Sequence, residues 1–118
     1  MGSTYLSFYL NTNRIHVFLR ALRGIGSPDR ICFMINQDGN SLIMLPHGKK
    51  DFVSHSVPQR VYSGADGFEV HSKKLCRILA DQHGWDGSRS YRVPGVILSE
   101  KHLAAFDLTK AAVIDKGG

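Results

Sequence analysis

The sequence predicts a β-rich α+β fold in which two ββαββ pseudo-repeats form one small β-barrel, or a pair of packed sheets, with the helices outside. Three observations support this prediction. Short apolar stretches of strand length recur along the chain between polar turns. Residues 14–46 and 68–108 follow the same order of strand, helix, strand, turn and strand. The 118 residues are enough for one hydrophobic core but not for two.

The predicted single domain spans residues 1–118, with a first unit at 4–46, a linker at 47–56 and a second unit at 57–114. The linker is predicted because its residues are mostly polar, with glycine, lysine, serine and histidine among them. Two copies of one unit usually pack as a single body with internal pseudo-symmetry, and the seam between the copies is a favoured place for a ligand.

The first unit is predicted from its turns as much as from its strands. Asn11-Thr12-Asn13 forms a turn of residues that tolerate a left-handed backbone. Leu19 and Leu22 give a short helix one apolar face, and Gly24 is expected to cap it. Asp38-Gly39 is a strong hairpin signal. The predicted elements are strands at 5–10 and 14–17, a helix at 18–23, a strand at 31–35 that is apolar enough to be buried on both faces, and a strand at 42–45.

The second unit has a longer helix with clearer boundaries. Ser72 is a good N-cap residue and Gly84 a good C-terminal cap, which places the helix at residues 73–83. The other predicted elements are strands at 57–62, 68–70, 90–97 and 103–108, with a turn at 99–102. Cys32 and Cys76 lie in apolar stretches without a CxxC pair, so both are expected to be reduced and buried, with one disulfide as the alternative.

The predicted core follows from the apolar periodicity of these elements. We expect Trp85, which directly follows the helix cap, to fill the core of the second unit as Ile25 does in the first. The other predicted core residues are Ile15, Val17, Leu22, Ile31, Phe33 and Ile35 in the first unit, and Val70, Leu75, Ile78, Leu79, Val93 and Phe106 in the second.

The charge of the chain favours an anionic partner. Fifteen Lys and Arg residues against ten Asp and Glu give a net charge of +5 and a pI near 9.5. Residues 1–50 have six basic and two acidic residues, a net charge of +4, while the remaining 68 have nine and eight, a net charge of +1. The first unit is therefore the better candidate for an anion-binding half.

Residues 13–25, Asn-Arg-Ile-His-Val-Phe-Leu-Arg-Ala-Leu-Arg-Gly-Ile, resemble the signature of the AbrB/MazE/SpoVT swapped-hairpin family. Arg14, Arg20, Gly24 and Ile25 match family positions, and the strand, Asp-Gly turn and strand that follow up to residue 46 are similar to the rest of the hairpin. His16 departs from the pattern because the family has a helix-opening proline there. Asn13 and Arg23 also stand where the family has glycine and leucine.

That resemblance implies a barrel of two halves, which the family usually builds by dimerisation, and DNA binding through arginines of the first hairpin. The nucleic-acid-binding residues implied or favoured by charge are Arg14, Arg20, Arg23 and Arg30. Segments of both units also look similar to small uncharacterised proteins of Gram-positive bacteria and their mobile elements. A homodimer is one possible state of the chain.

The sequence favours a binding protein over an enzyme. It contains no GxSxG elbow, no Walker or dinucleotide glycine pattern and no fixed pair of carboxylates. Its six histidines show no zinc spacing, so we expect no metal and no cofactor. No apolar run is long enough to cross a membrane, and no signal peptide is evident, which predicts a cytoplasmic protein.

Two functional hypotheses remain from the sequence. The leading one is a DNA-binding regulator or antitoxin that binds DNA or another polyanion, with Arg14 and Arg20 exposed and free of intramolecular salt bridges. The alternative is an immunity antagonist of a phage or mobile element that blocks a host defence protein or sequesters a nucleotide second messenger. Its anionic-ligand pocket would consist of Arg89, Tyr91, Arg92 and Trp85.

Overall fold

The computed structural model describes residues 2–47 and 54–114. Within them, nine antiparallel strands form one sheet that curves into a nearly closed eight-stranded barrel. The strands are β1 (Gly2–Tyr9), β2 (Arg14–Phe18), β3 (Arg30–Ile35), β4 (Ser41–Pro46), β5 (Ser54–Ser56), β6 (Gly67–His71), β7 (Ser90–Leu98), β8 (Leu103–Asp107) and β9 (Ala112–Val113), and the helices are α1 (Leu19–Gly24) and α2 (Lys73–His83). The expected β-rich fold is confirmed, as a barrel.

The strand order is β5-β3-β4-β8-β7-β1-β2-β6, and β9 pairs with the start of β7. Strands β5 and β6 stand at the two ends of this order, so the barrel is open only between them in the part of the chain that is described. The longest pairing among the described strands is β1 with β7, which runs over eight residues of β1 from Gly2 to Tyr9.

The core fills the barrel interior because alternate residues of each strand point inward. Of the predicted core, Ile15, Val17, Leu22, Ile31, Val70, Leu79, Val93 and Phe106 are buried. Phe33, Ile35, Leu75 and Trp85 pack against that core but are only partly buried, and Ile78 also keeps part of its surface exposed.

Helix α1 covers one end of the barrel. It contacts β1, β2, β6, β7 and β8, and Ala21 and Leu22 have no exposed surface. Gly24 was expected to cap this helix, but it is the last helical residue, and the position after it is taken by Ile25. The physical reason for glycine is contact: a Cβ at Gly24 would overlap Cγ2 of Ile97 and lie 2.9 Å from its Cδ1.

Helix α2 lies at the opposite end, and its predicted limits are confirmed. The Leu75 amide donates to Ser72 Oγ at 3.2 Å, and Gly84 adopts a left-handed backbone with φ of 67°. The Ser72 amide donates to the carbonyl of Asn13 at 3.0 Å, which ties the start of α2 to the β1–β2 loop. At the other end of α2, His83 Nε2 lies 2.9 Å from the carbonyl oxygen of Gly39 in the β3–β4 turn.

The predicted turns are confirmed where they depend on left-handed residues. The β1–β2 loop comprises the 3-10 turn Leu10–Thr12 and Asn13, whose φ is 55°. The β7–β8 loop has the same form, a 3-10 turn at Ser99–Lys101 followed by His102 with φ of 54°. In the β3–β4 hairpin, Gly39 has φ of 79°.

The segment before β6 differs from the prediction. Residues 54–56 of the predicted linker form β5, which pairs with β3, while residues 48–53 lie outside the described part of the chain. Residues 57–62 were predicted as a strand, but a 3-10 helix spans Gln59–Ser63. Pro58 explains the change because it has no amide hydrogen to offer a neighbouring strand.

Two further expectations concern buried residues. Strand β3 is not buried along the whole of both faces, because Met34 is 56% exposed although Cys32 on the same face is buried. Cys32 and Cys76 are both buried and are not joined by a disulfide. No helix within the described residues is long and apolar enough to cross a membrane.

Candidate functional site

The four arginines predicted to bind nucleic acid do not share one surface. Arg14 begins β2 at the end of the barrel that α2 covers. Arg20 and Arg23 belong to α1 at the opposite end. Arg30 begins β3 and donates from Nε and Nη2 to Ser54 Oγ at 3.0 and 2.8 Å, which ties β5 to β3. Arg30 therefore has a structural contact that the sequence did not indicate.

Arg14 was expected to have no intramolecular salt bridge, and this prediction is wrong. Its Nη1 lies 2.9 Å and 3.0 Å from the two carboxylate oxygens of Glu69, and its Nε donates to Thr12 Oγ1 at 2.9 Å. The guanidinium also lies over the ring of Tyr9, 5.1 Å from its centroid. The pairing of β2 with β6 places Arg14 opposite His71, so Glu69 is a diagonal neighbour within reach of its long side chain.

The two arginines of α1 remain accessible. Arg20 is exposed and makes no hydrogen bond or ion pair with the described residues. Arg23 is also exposed and donates to the carbonyl of Tyr62 at a long 3.4 Å. Arg20 thus keeps the freedom that was expected of it, but without Arg14 beside it.

The residues of the alternative pocket do not converge either. Tyr91 points into the barrel, where its ring stacks on Trp85 with centroids 5.1 Å apart and its hydroxyl accepts from the Asp86 amide at 2.8 Å. Arg92, the next residue, points to the outer face of β7 and lies over the ring of Tyr5 at 4.2 Å. Arg89 is exposed in the preceding turn, 3.7 Å from Asp86. Alternation along β7 separates Tyr91 from Arg92.

A cleft of about 380 Å³ between α2 and the β1–β2 loop brings a different set of residues together. Its volume is within the range of small-molecule sites. It is lined by Lys73, Cys76, Arg77, Ala80 and Asp81 of α2, by Leu10, Asn11 and Asn13 of the loop, and by Trp85 and Gly87 after the helix. Only Trp85 of these residues was predicted to contact a ligand.

The charged residues of α2 that line the cleft follow one another along the helix. Lys73, Arg77 and Asp81 are each four residues apart, so they follow one another along one face of α2. Lys73 therefore stands at the start of the helix, Arg77 near its middle and the Asp81 carboxylate near its end. Lys73 and Arg77 make no hydrogen bond or ion pair with the described residues, so their donors are available to a ligand.

The other walls of the cleft are held in place by the fold. Asn13 is fixed by its left-handed backbone and by the Ser72 amide on its carbonyl. Trp85 is held between the core and the cleft, because its ring contacts Phe8 at 5.4 Å between centroids in addition to Tyr91. A site whose walls are fixed before binding loses less conformational entropy when a ligand arrives.

Two ionisable groups in or beside the cleft have shifted pKa values. Burial raises the pKa of the Cys76 thiol to about 11, so this cysteine stays protonated at neutral pH and is a poor nucleophile. Hydrogen bonds from Ser88 lower the pKa of Asp86 below its usual value, which keeps that exposed carboxylate ionised. Within the described ranges, no three His, Cys, Asp or Glu side chains form a group that could hold a metal ion.

Only partial signals for this cleft were present in the sequence. Lys73 and Arg77 lie away from the apolar stripe of the predicted helix, where most basic residues simply face solvent. Asn11 and Asn13 were recognised as turn residues, with no indication that their loop would contact α2. The four-residue spacing of Lys73, Arg77 and Asp81 was visible, but it has no meaning for a ligand until the fold places a loop opposite it.

No protein-family model matches the chain, and no curated protein or solved structure is similar to it at a significant level.

Proposed function

We propose that this protein is a small, non-enzymatic binding module whose ligand is a nucleotide-like anion held in the cleft beside α2. One observation carries this proposal: two unpaired cations, Lys73 and Arg77, and one aromatic side chain, Trp85, line the same cleft of about 380 Å³. A cation pair with an aromatic wall is a recurring solution for phosphate and base together.

The charge order along α2 fixes the orientation of such a ligand. Phosphate oxygens belong near Lys73 and Arg77, because these two side chains supply the positive charge of the cleft. The base belongs near Trp85 and Asp81, because the indole offers a stacking surface and the carboxylate accepts hydrogen bonds from base N–H groups. The opposite arrangement would place phosphate against a carboxylate and is disfavoured.

Duplex DNA binding through Arg14 and Arg20 has less support. Arg14 is already engaged by Glu69 and Thr12, and Arg20 lies at the other end of the barrel. The resemblance to swapped-hairpin proteins implied a single arginine-bearing hairpin, and such a surface needs both residues free. The cleft offers free cations and an aromatic wall within one open groove.

We also propose that the chain is a pseudo-repeat of two related units, and the strand order supports this. If β1, β2, β3 and β4 are exchanged with β5, β6, β7 and β8 respectively, the same pairs of strands remain neighbours around the barrel, apart from the open β5–β6 edge. The exchange relates α2 and the β1–β2 loop to α1 and the 3-10 helix Gln59–Ser63. There the two elements are tied together, since Arg23 donates to the Tyr62 carbonyl and the Tyr62 hydroxyl donates to the Pro28 carbonyl at 2.6 Å. Under the proposed pseudo-symmetry, the cleft lies in the half formed by α2 and the β1–β2 loop.

A module that binds without reacting acts by sensing or sequestering its ligand. The protonated, buried Cys76 in the cleft supports this role because it gives the site no ready nucleophile. Sequestration of a nucleotide signal is the action expected of an immunity antagonist of a mobile element, and regulation by a bound nucleotide is the other use of such a site.

Tryptophan fluorescence provides the direct test because Trp85 is the single tryptophan of the chain. We would titrate the protein with mono-, di- and cyclic nucleotides and with inorganic pyrophosphate, and follow the melting temperature in parallel. Arg77→Ala should weaken binding by about tenfold or more, as loss of a charge-assisted contact does.

The matched control is Lys74→Ala, which removes a cation from the same helix outside the cleft and should change affinity less than about twofold. If no nucleotide or pyrophosphate at millimolar concentration changes the fluorescence or the melting temperature, the proposed function is wrong. Equal losses in the Arg77 and Lys74 variants would show that general charge, and not the cleft, binds the ligand.

A further inference from the structure

The outer face of β1 and β7 carries a second group of aromatic and basic side chains. Arg92 of β7 lies over the ring of Tyr5, 4.2 Å from its centroid, and Tyr5 is 37% exposed. Tyr5 also contacts Phe18 edge-on, with centroids 4.9 Å apart. Arg92 is exposed and makes no hydrogen bond or ion pair with the described residues. An aromatic ring with a free guanidinium above it is a stacking surface for a base.

A second arginine–tyrosine pair lies on the same face four residues further along β1, but its arginine is also held by Glu69 and Thr12. Tyr9 points outward like Tyr5, and Arg14 lies over it at 5.1 Å. At a rise of about 3.3 Å per residue, the two tyrosines are roughly 13 Å apart along the strand. The outer face therefore presents two arginine–tyrosine pairs, one after the other along β1.

Two polar side chains next to these pairs, Ser7 and His16, have buried atoms that lower the stability of the fold. Ser7 has no exposed surface and His16 is its direct cross-strand partner. Ser7 Oγ and His16 Nε2 are both buried and have no hydrogen-bond partner. Each such atom costs free energy, and native proteins retain few of them unless the site has another use.

The second pair leads directly to the cleft. Tyr9 is followed by the loop of Asn11 and Asn13, which forms one wall of the cleft, and Arg14 directly follows Asn13. Arg14 Nε donates to Thr12 Oγ1 in that loop. The outer face and the cleft are thus two parts of one surface joined at the β1–β2 loop.

We infer that the ligand is the end of a single-stranded nucleic acid, with its terminal nucleotide in the cleft and the preceding nucleotides along the outer face of β1. This inference rests on the proposed function, because the terminal nucleotide would occupy the site of Lys73, Arg77 and Trp85. Single strands fit such a face because their bases are free to stack on Tyr9 with Arg14 and on Tyr5 with Arg92. Paired bases of a duplex would be unavailable for that contact.

The test measures affinity against length, with fluorescently labelled single strands of one to eight nucleotides and with a duplex of the longest one. We expect affinity to rise by about tenfold or more between one and a few nucleotides, since each stacked base adds to binding, and to fall steeply with salt. Tyr5→Ala and Arg92→Ala should each weaken the longer strands several-fold and leave mononucleotide affinity within twofold. Arg92→Lys should restore only part of the loss because it keeps charge without the planar group.

The control is Met34→Ala, which truncates a side chain that is 56% exposed on β3, a strand that pairs with β4 and β5 and with neither β1 nor β7. It should leave every affinity unchanged. If long strands bind no better than one nucleotide, or the Tyr5 and Arg92 variants bind like the unaltered protein, the inference is wrong while the nucleotide site stands. Tighter binding of the duplex than of its single strand would also overturn it. If single strands bind but mononucleotides do not, the cleft is not the nucleotide site.

Discussion

The indole of Trp85 stacks on the ring of Tyr91, with centroids 5.1 Å apart and planes inclined by 18°. Tyr91 is buried inside the barrel, whereas Trp85 also lines the cleft beside α2. The pair thus joins the hydrophobic core to the candidate binding site. The position of one wall of the cleft consequently depends on core packing. Contributions to stability and to binding must therefore be measured separately.

Replacing Trp85 with alanine should lower the free energy of unfolding by about 3 kcal/mol, the lower end of the range for large aromatic side chains in cores, because part of the ring is exposed. Denaturant unfolding monitored by circular dichroism measures this loss. Trp85→Phe keeps an aromatic ring against Tyr91 and should cost clearly less. A near-neutral Trp85→Ala would show that the ring serves the ligand alone.

Gly24→Ala should destabilise the protein by about 1–3 kcal/mol, as overpacking does, although alanine favours helices over glycine by about 1 kcal/mol. The new Cβ would overlap Ile97 at the end of β7. Gly87→Ala is the matched control because a Cβ there meets nothing within 4 Å. In a double-mutant cycle, Gly24→Ala should cost less in the Ile97→Ala background, although Ile97→Ala is itself destabilising because its side chain is buried. Thermal unfolding that is unchanged by Gly24→Ala would contradict the close contact.

Arg14 and Glu69 should be coupled by about 0.5–1 kcal/mol in a double-mutant cycle, because the pair is well aligned but each side chain is about one-third exposed. The coupling should decrease between 0.05 and about 1 M salt as the charges are screened. Urea unfolding of the four cycle members provides the values. A coupling of zero at low salt would mean that Arg14 is as free as the sequence first implied.

Cys76 should make stability depend on alkaline pH. Its pKa is raised from 9.0 to about 11 by burial, so the folded state holds the proton that the unfolded state loses first. The contribution of this group is fully present below pH 9 and is lost as the pH rises from 9 through 11. Cys76→Ala should therefore show a shallower fall in unfolding free energy over that interval. Parallel curves for the two proteins would disprove the shifted pKa.

The local elements of this protein were largely predictable because their signals are local. Ser72 and Gly84 set the ends of α2, since each acts on backbone groups within one turn. Asn13 and Gly39 fixed turns through their own left-handed backbone. Alternation placed Ile15 and Val17 in the core, because side chains of a strand alternate between its two faces whatever its neighbours are.

Contacts between distant segments were decided only by the tertiary structure. Pairing of β2 with β6 brought Glu69 to Arg14, 55 residues away, and so engaged an arginine that local sequence left free. Packing of Ile97 against α1 gave Gly24 its role, and the approach of the β1–β2 loop to α2 made a cleft from Asn13, Arg77 and Trp85. The sequence alone determined which residues turn, cap and point inward. Which charges meet, and where a cavity remains, depended on the register of strands far apart in the chain, and no local pattern encodes that register.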